Sequence, residues 1–225
     1  MIEISLEKRC LTIDPITGAL AQAVASRAAL SSALLTRLEQ LAVPYTPLPG
    51  WSVHPHTMRA LVRRYSVQAA SYPLEEVAQW FAYQRYGLFL LPGYQPRFFS
   101  HTEQQPISPP RGAIDALGEA CLGLLLQYLY QGRLLARPVA AAPHVVCVNP
   151  TTQTLYLGAV QATAEQTVEA SQRLVDRALP RFLPLVLAAN TLHHSTQPIL
   201  GLLVGITLLS HEQWHCALAE VRVAA

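Results

Sequence analysis

Two long stretches of this chain carry no Asp, Glu, Lys or Arg: residues 138–164 and residues 182–211. An antiparallel sheet open to water on one side alternates polar and apolar residues, because one face stays wet. The strand-like segments here barely alternate. His144–Asn149 reads HVVCVN, Thr154–Gln161 reads TLYLGAVQ, and Leu202–Leu209 reads LLVGITLL. A sheet built from them must be covered on both faces, by the chain's own helices, by a second copy or by a partner.

The rest of the composition agrees. The chain is 51% hydrophobic and 13% charged, whereas soluble domains carry about 25% charged residues. That is the opposite of the disordered signature. A charge-poor surface favours burial in a homo-oligomer or against a protein partner. The net charge is +2, and Lys8 is the only lysine. A nucleic-acid role therefore needs a local basic patch. Cys10, Cys121, Cys147 and Cys216 are dispersed, which suits buried reduced thiols in a cytoplasmic protein. The N-terminal MIEISLEKR puts charges where a signal peptide needs apolar residues. No transmembrane segment is expected: Asn190–Pro198 splits residues 182–211 into apolar pieces of 8 and 11 residues, too short to span ~30 Å of hydrocarbon.

In order, Ile2–Leu6 and Leu11–Ile13 read as short strands. Residues 17–42 read as an amphipathic helix with Leu20, Val24, Leu34 and Leu38 on its stripe. Pro44, Pro47, Pro49 and Gly50 read as a rigid loop. Helices are expected over 57–69, from Tyr72 to about Tyr86, and over 112–130. His101–Arg111, with three prolines, marks a boundary between a mainly helical lobe (1–105) and a sheet lobe (112–225), unless the two form one continuous domain. After it come two strands, a helix from Ala164 to about Ala178 that Pro180 and Pro184 are expected to kink or restart before it resumes to about Leu192, and two more strands. The expectation is an α+β protein: a helical N-terminal part followed by a ββαββ antiparallel sheet with helices packed on it.

Chemistry enters at His211-Glu212-Gln213-Trp214-His215. H-E-x-x-H on a helix puts both histidines on one face as zinc ligands, with the glutamate as general base. A third ligand must come from upstream, from His193 or His194. Ser210 followed by Gln213 reads as a capping box. The same residues also read as the turn of a hairpin between Leu202–Leu209 and Trp214–Val223.

A second candidate site is basic. Arg59, Arg63 and Arg64 lie on one predicted helix, and Arg85 and Arg97 are interleaved with aromatic residues between 80 and 99. Such a set can contact phosphates and stack bases, or meet a protein partner. There is no phosphate loop and no G-x-S-x-G elbow. Three functions follow: a non-catalytic accessory subunit acting through protein–protein contacts, a zinc-dependent hydrolase using 211–215, and a nucleic-acid-associated protein using the arginine helix.

Overall fold

The computed structural model describes residues 1–41, 43–68, 70–86, 109–138, 142–192 and 197–224. In chain order its elements are β1 (Ile2–Ile13), α1 (Pro15–Ser26), α2 (Ser31–Gln40), β2 (Thr46–Val53), α3 (Pro55–Tyr65), α4 (Pro73–Tyr86), α5 (Arg111–Tyr130), β3 (Arg133–Ala136), β4 (Val145–Val148), β5 (Leu155–Thr163), α6 (Glu169–Leu192), β6 (Ile199–Leu208) and β7 (Gln213–Val223). The strands form one seven-stranded mixed sheet in the order β2-β1-β7-β6-β5-β4-β3.

This corrects the expected helical N-terminal part with an antiparallel ββαββ sheet after it. β5 and β6 pair in parallel, from Leu155 beside Ile199 to Thr163 beside Thr207. The 24-residue α6 joins them. A helix of that length carries the chain back along the sheet, so the next strand starts from the same end. The N-terminus also supplies an inner strand. β1 runs parallel to β7 from Glu3–Gln213 to Ile13–Val223, and antiparallel to β2 on its other side. Its 12 residues looked like two strands because the apolar positions change face midway. Ile2, Ile4 and Leu6 pack on one side of the sheet, Leu11 and Ile13 on the other.

β2 is a further correction, since its prolines suggested a loop. Proline is tolerated on an edge strand, where the outer side needs no donors. Gly50 sits where the β1–β2 register shifts, between Ile4 and Leu6. A Cβ there would lie 2.7 Å from the Ile4 carbonyl oxygen. The helix expected over 17–42 is two helices, α1 and α2, with a 3₁₀ turn at Ala28–Leu30 between them.

Helices cover both faces. Leu202, Val204, Ile206 and Leu208 of β6 pack against the layer of α3, α4 and α5, while Leu203 faces α6. α5 is buried along most of its length, with Ala113, Leu117, Cys121, Leu122 and Leu125 at 1% exposure or less. By length and composition it could cross a membrane, but 67% of that stretch lies inside the fold. Each such buried leucine contributes roughly 1.5–3 kcal/mol. α6 buries Val175, Leu179, Phe182, Leu183 and Val186 on the opposite face and stays helical through Pro180 and Pro184.

Candidate functional site

Residues 209–212 connect β6 to β7, and the ladder closes at Leu208 beside Trp214. The N–H groups of Leu209 and Ser210 donate to the Gln213 carbonyl at 2.9 and 3.0 Å. Ser210 Oγ accepts from the N–H of Glu212 and Gln213 at 3.2 and 3.0 Å. A hydroxyl that accepts from backbone N–H groups two and three residues on also starts helices. The local signal is thus common to both readings, and the ladder decides for the hairpin.

His211 and His215 accordingly do not share a helix face. His211 and Glu212 lie on the exposed turn, with the N-terminal amine 4.0 Å from Glu212. His215 is buried on β7 against β1. Ser5 Oγ is 2.7 Å from its Nδ1, and Glu7 Oε1 is 3.2 Å from its Nε2. Gln172 of α6 donates to the same Glu7 oxygen at 2.7 Å. Both ring nitrogens therefore have protein partners, and the ring ties β7 to β1 and, through Glu7, to α6. Among the described residues, no three His, Cys, Asp or Glu side chains gather in a ligand set. His193 and His194 lie outside the described residues.

The predicted basic set is spread over the surface. Arg59 pairs with Glu75 of α4 at 2.6 Å. Arg64 lies 5.9 Å from the centroid of the Tyr65 ring. Arg63 is exposed on α3, and Arg85 is exposed near the end of α4. Arg59 shares a hollow of about 180 Å³ with His211 and Glu212, so residues of both sequence-predicted sites meet there. Trp80 and Phe81 belong to the core. Arg97 and the aromatic residues from 88 to 99 lie outside the described residues, as does the linker over 101–108.

The larger feature carries no motif. β4 pairs with β5 only between Leu155 and Gly158, whereas β5 runs on to Thr163. His144 closes the short ladder. Its N–H donates to the Gly158 carbonyl at 2.8 Å, and its Nδ1 accepts from the Val160 N–H at 2.9 Å. Beyond that, no described strand lies on the β4 side of β5, where Ala142 lines the edge. The gap is a notch of about 630 Å³ with Arg111 and Ile114 of α5 on one side, Arg177, Arg181 and Phe182 of α6 on the other, and Gln161–Ala164 between them. A smaller hollow of about 140 Å³ adjoins it, sharing Arg111 and Gln161 and adding Asp115, Glu119 and His144.

The notch is electropositive. Arg111 lies 3.7 Å from Asp115, whose pKa burial pushes up against the pull of that arginine. Glu119 is occupied internally, accepting from the Val67 N–H at 2.8 Å and from Gln68 Nε2 at 3.1 Å. Arg173, one turn before Arg177, pairs with Glu165. Arg177 and Arg181 have no hydrogen bond or ion pair to any described residue. They are four apart and share a helix face. Their guanidinium groups are permanently charged, planar donors suited to carboxylate and phosphate. In the sequence, arginines in the second half of the helix expected over 164–192 also suit the negative end of its dipole. The available signal was that neither has an acidic residue three or four positions away.

A second polar cluster is structural. The Glu220 side chain is 2% exposed and meets Lys8 Nζ at 2.6 Å, Tyr130 Oη at 2.9 Å and Arg222. Burial raises its pKa, but the hydrogen bonds from Lys8 and Arg222 outweigh burial and leave it below the ordinary glutamate value. The cluster joins β1, β7 and the end of α5. No known protein family matches the chain, and neither the curated proteins nor the solved structures contain a match.

Proposed function

We propose that this chain is a non-catalytic binding subunit of a larger assembly, and that the notch between α5, β5 and α6 takes an anionic ligand. The observation that carries the reading is that Arg177 and Arg181 line the notch with no charge partner among the described residues, while Arg173 on the same helix has one. Two adjacent unpaired guanidiniums repel each other, and a bound anion relieves that repulsion. Their exposure lets a ligand reach them. The half-buried Pro109, Ala162, Leu174 and Ala178 on its lining give an organic body something apolar to pack on. The low overall charge supports the assembly part of the reading, because the surface offers few charges to keep a lone chain solvated.

Thermal unfolding with added poly-L-glutamate tests this. A ligand at about 100 times its Kd adds about 2.7 kcal/mol, which is roughly 5–10 °C in Tm for a chain of this length. The wild type should rise by that amount, and an Arg177→Ala/Arg181→Ala variant should rise far less. Equal shifts in the two proteins would show that the notch is not the site.

A further inference from the structure

We infer that the anion is an acidic, extended peptide segment of a partner protein, added to the sheet as a strand along β5. The inference rests on the reading of the notch as an anion site and specifies its occupant. Its first support is the unfinished ladder. Gly158 and Val160 turn their hydrogen-bonding groups toward β4 and His144. Along a strand these groups alternate sides, so Ala162 turns its N–H and C=O the same way, into the notch. An extended chain laid there completes the pairing that β4 begins.

The second support is dimension. Ala159–Thr163 spans five residues, about 16 Å of strand. The notch of about 630 Å³ is the size of a cleft for an organic ligand rather than for one small ion.

The third support is the placement of charge. Side chains of an added strand alternate between the two faces of the sheet. Those on one face meet Arg177 and Arg181 of α6, and those on the other meet Arg111 of α5. A segment with acidic residues two apart presents carboxylates to α6, and one acidic residue on the opposite face answers Arg111. The opposite edge of the sheet is less suited, because β2 carries Pro47 and Pro49. Addition of a strand to an exposed edge is a recurrent mode of peptide recognition, in which main-chain bonds give affinity and side chains give specificity. A nucleic acid fits the notch less well: Phe182, its one ring among the described residues, is buried at 2% exposure and offers no stacking platform.

The test is panning of a phage-displayed random heptapeptide library on the wild-type chain, with the Arg177→Ala/Arg181→Ala variant for counter-selection. The selected peptide is then synthesised in versions N-methylated at alternate backbone positions. The expected result is enrichment of Asp or Glu two residues apart, and binding weakened about 100-fold in the double variant, roughly tenfold for each charge-assisted contact. N-methylation at one set of alternate positions should weaken binding at least tenfold, and at the other set should leave it unchanged. Enrichment without spaced acids, or indifference to N-methylation, would overturn strand addition. If poly-L-glutamate binding still depends on the arginines in that case, the anion site stands without it. If that dependence is absent too, both readings fall. Tighter binding of a twelve-residue oligothymidylate than of the peptide would replace the peptide with nucleic acid.

Discussion

Replacing Gly205 with alanine strikes the contact on which the α6 layer rests. A Cβ at this position would sit 2.9 Å from the carbonyl carbon of Ser171 and 3.1 Å from Cγ2 of Val175, with the Ser171 carbonyl oxygen closer still. Carbon atoms pack at about 3.5–4.0 Å, and the closer carbonyl oxygen sets the larger demand, so the start of α6 must lift by more than about 1 Å. That end of the helix cannot lift freely. Ser171 and Val175 are fully buried, and Thr207 Oγ1 holds the Glu165 carbonyl just before the helix. Overpacking of a core costs about 1–3 kcal/mol, and a strike on backbone belongs at the top of that range. Taking about 3 kcal/mol, Tm falls by about 6–12 °C for a chain of this length. Thermal and urea unfolding followed by far-ultraviolet circular dichroism measure both quantities. The control is Gly112→Ala, where an added Cβ meets nothing within 4 Å and the change should stay within about 1 kcal/mol. A Gly205→Ala protein within about 0.5 kcal/mol of wild type would refute the seating of α6 on β6.

Other outcomes follow from the polar ties. Lys8→Met leaves Glu220 buried with only Arg222 and Tyr130, and should cost about 2 kcal/mol in urea unfolding; combined with Glu220→Gln, the total should be less than the sum. His215→Ala strips Ser5 and Glu7 of their shared partner and should cost about 1–3 kcal/mol. His211→Ala, on the exposed turn, should stay within about 0.5 kcal/mol. At the start of α1, the Thr17 N–H bond to Asp14 lowers the Asp14 pKa to about 2. A lowered carboxylate pKa supports the fold above the ordinary value of about 4, and that support is lost as pH falls through about 2. Asp14→Asn, which caps without titrating, should therefore flatten the acid limb of Tm against pH between those two values.

The charge-free stretches point to strands covered on both faces, and β5 and β6 are such strands. Their pairing was not legible, because hydrophobicity says which residues are buried and not which strand lies beside which. The parallel β5–β6 pair is a consequence of the length of α6, and the helix was visible while its topological effect was overlooked. β1 was split because its burial changes face between Leu6 and Leu11. Pro47 and Pro49 concealed β2, since proline marks a loop and an edge strand alike. β3 is four residues long and has too little pattern to be read. The H-E-x-x-H stretch drew attention because five residues match a short pattern, and Ser210 makes the same hydrogen bonds at a helix start and in a turn. No sequence pattern marks the notch, because it lies where the β4 ladder ends and β5 continues. Its arginines come from two helices that are distant in sequence, and no local spacing connects Arg111 with Arg177.

The most direct test of the anion site is a calorimetric titration of the chain with poly-L-glutamate at low and physiological ionic strength, in wild type and in the Arg177→Ala/Arg181→Ala variant. Wild-type binding should be saturable and weaken as salt shortens the screening length from ~30 Å at 0.01 M to ~8 Å at 0.15 M. The variant should bind little or not at all at either salt. Binding of equal strength by the two proteins, or wild-type binding indifferent to salt, would rule out an anion site at Arg177 and Arg181.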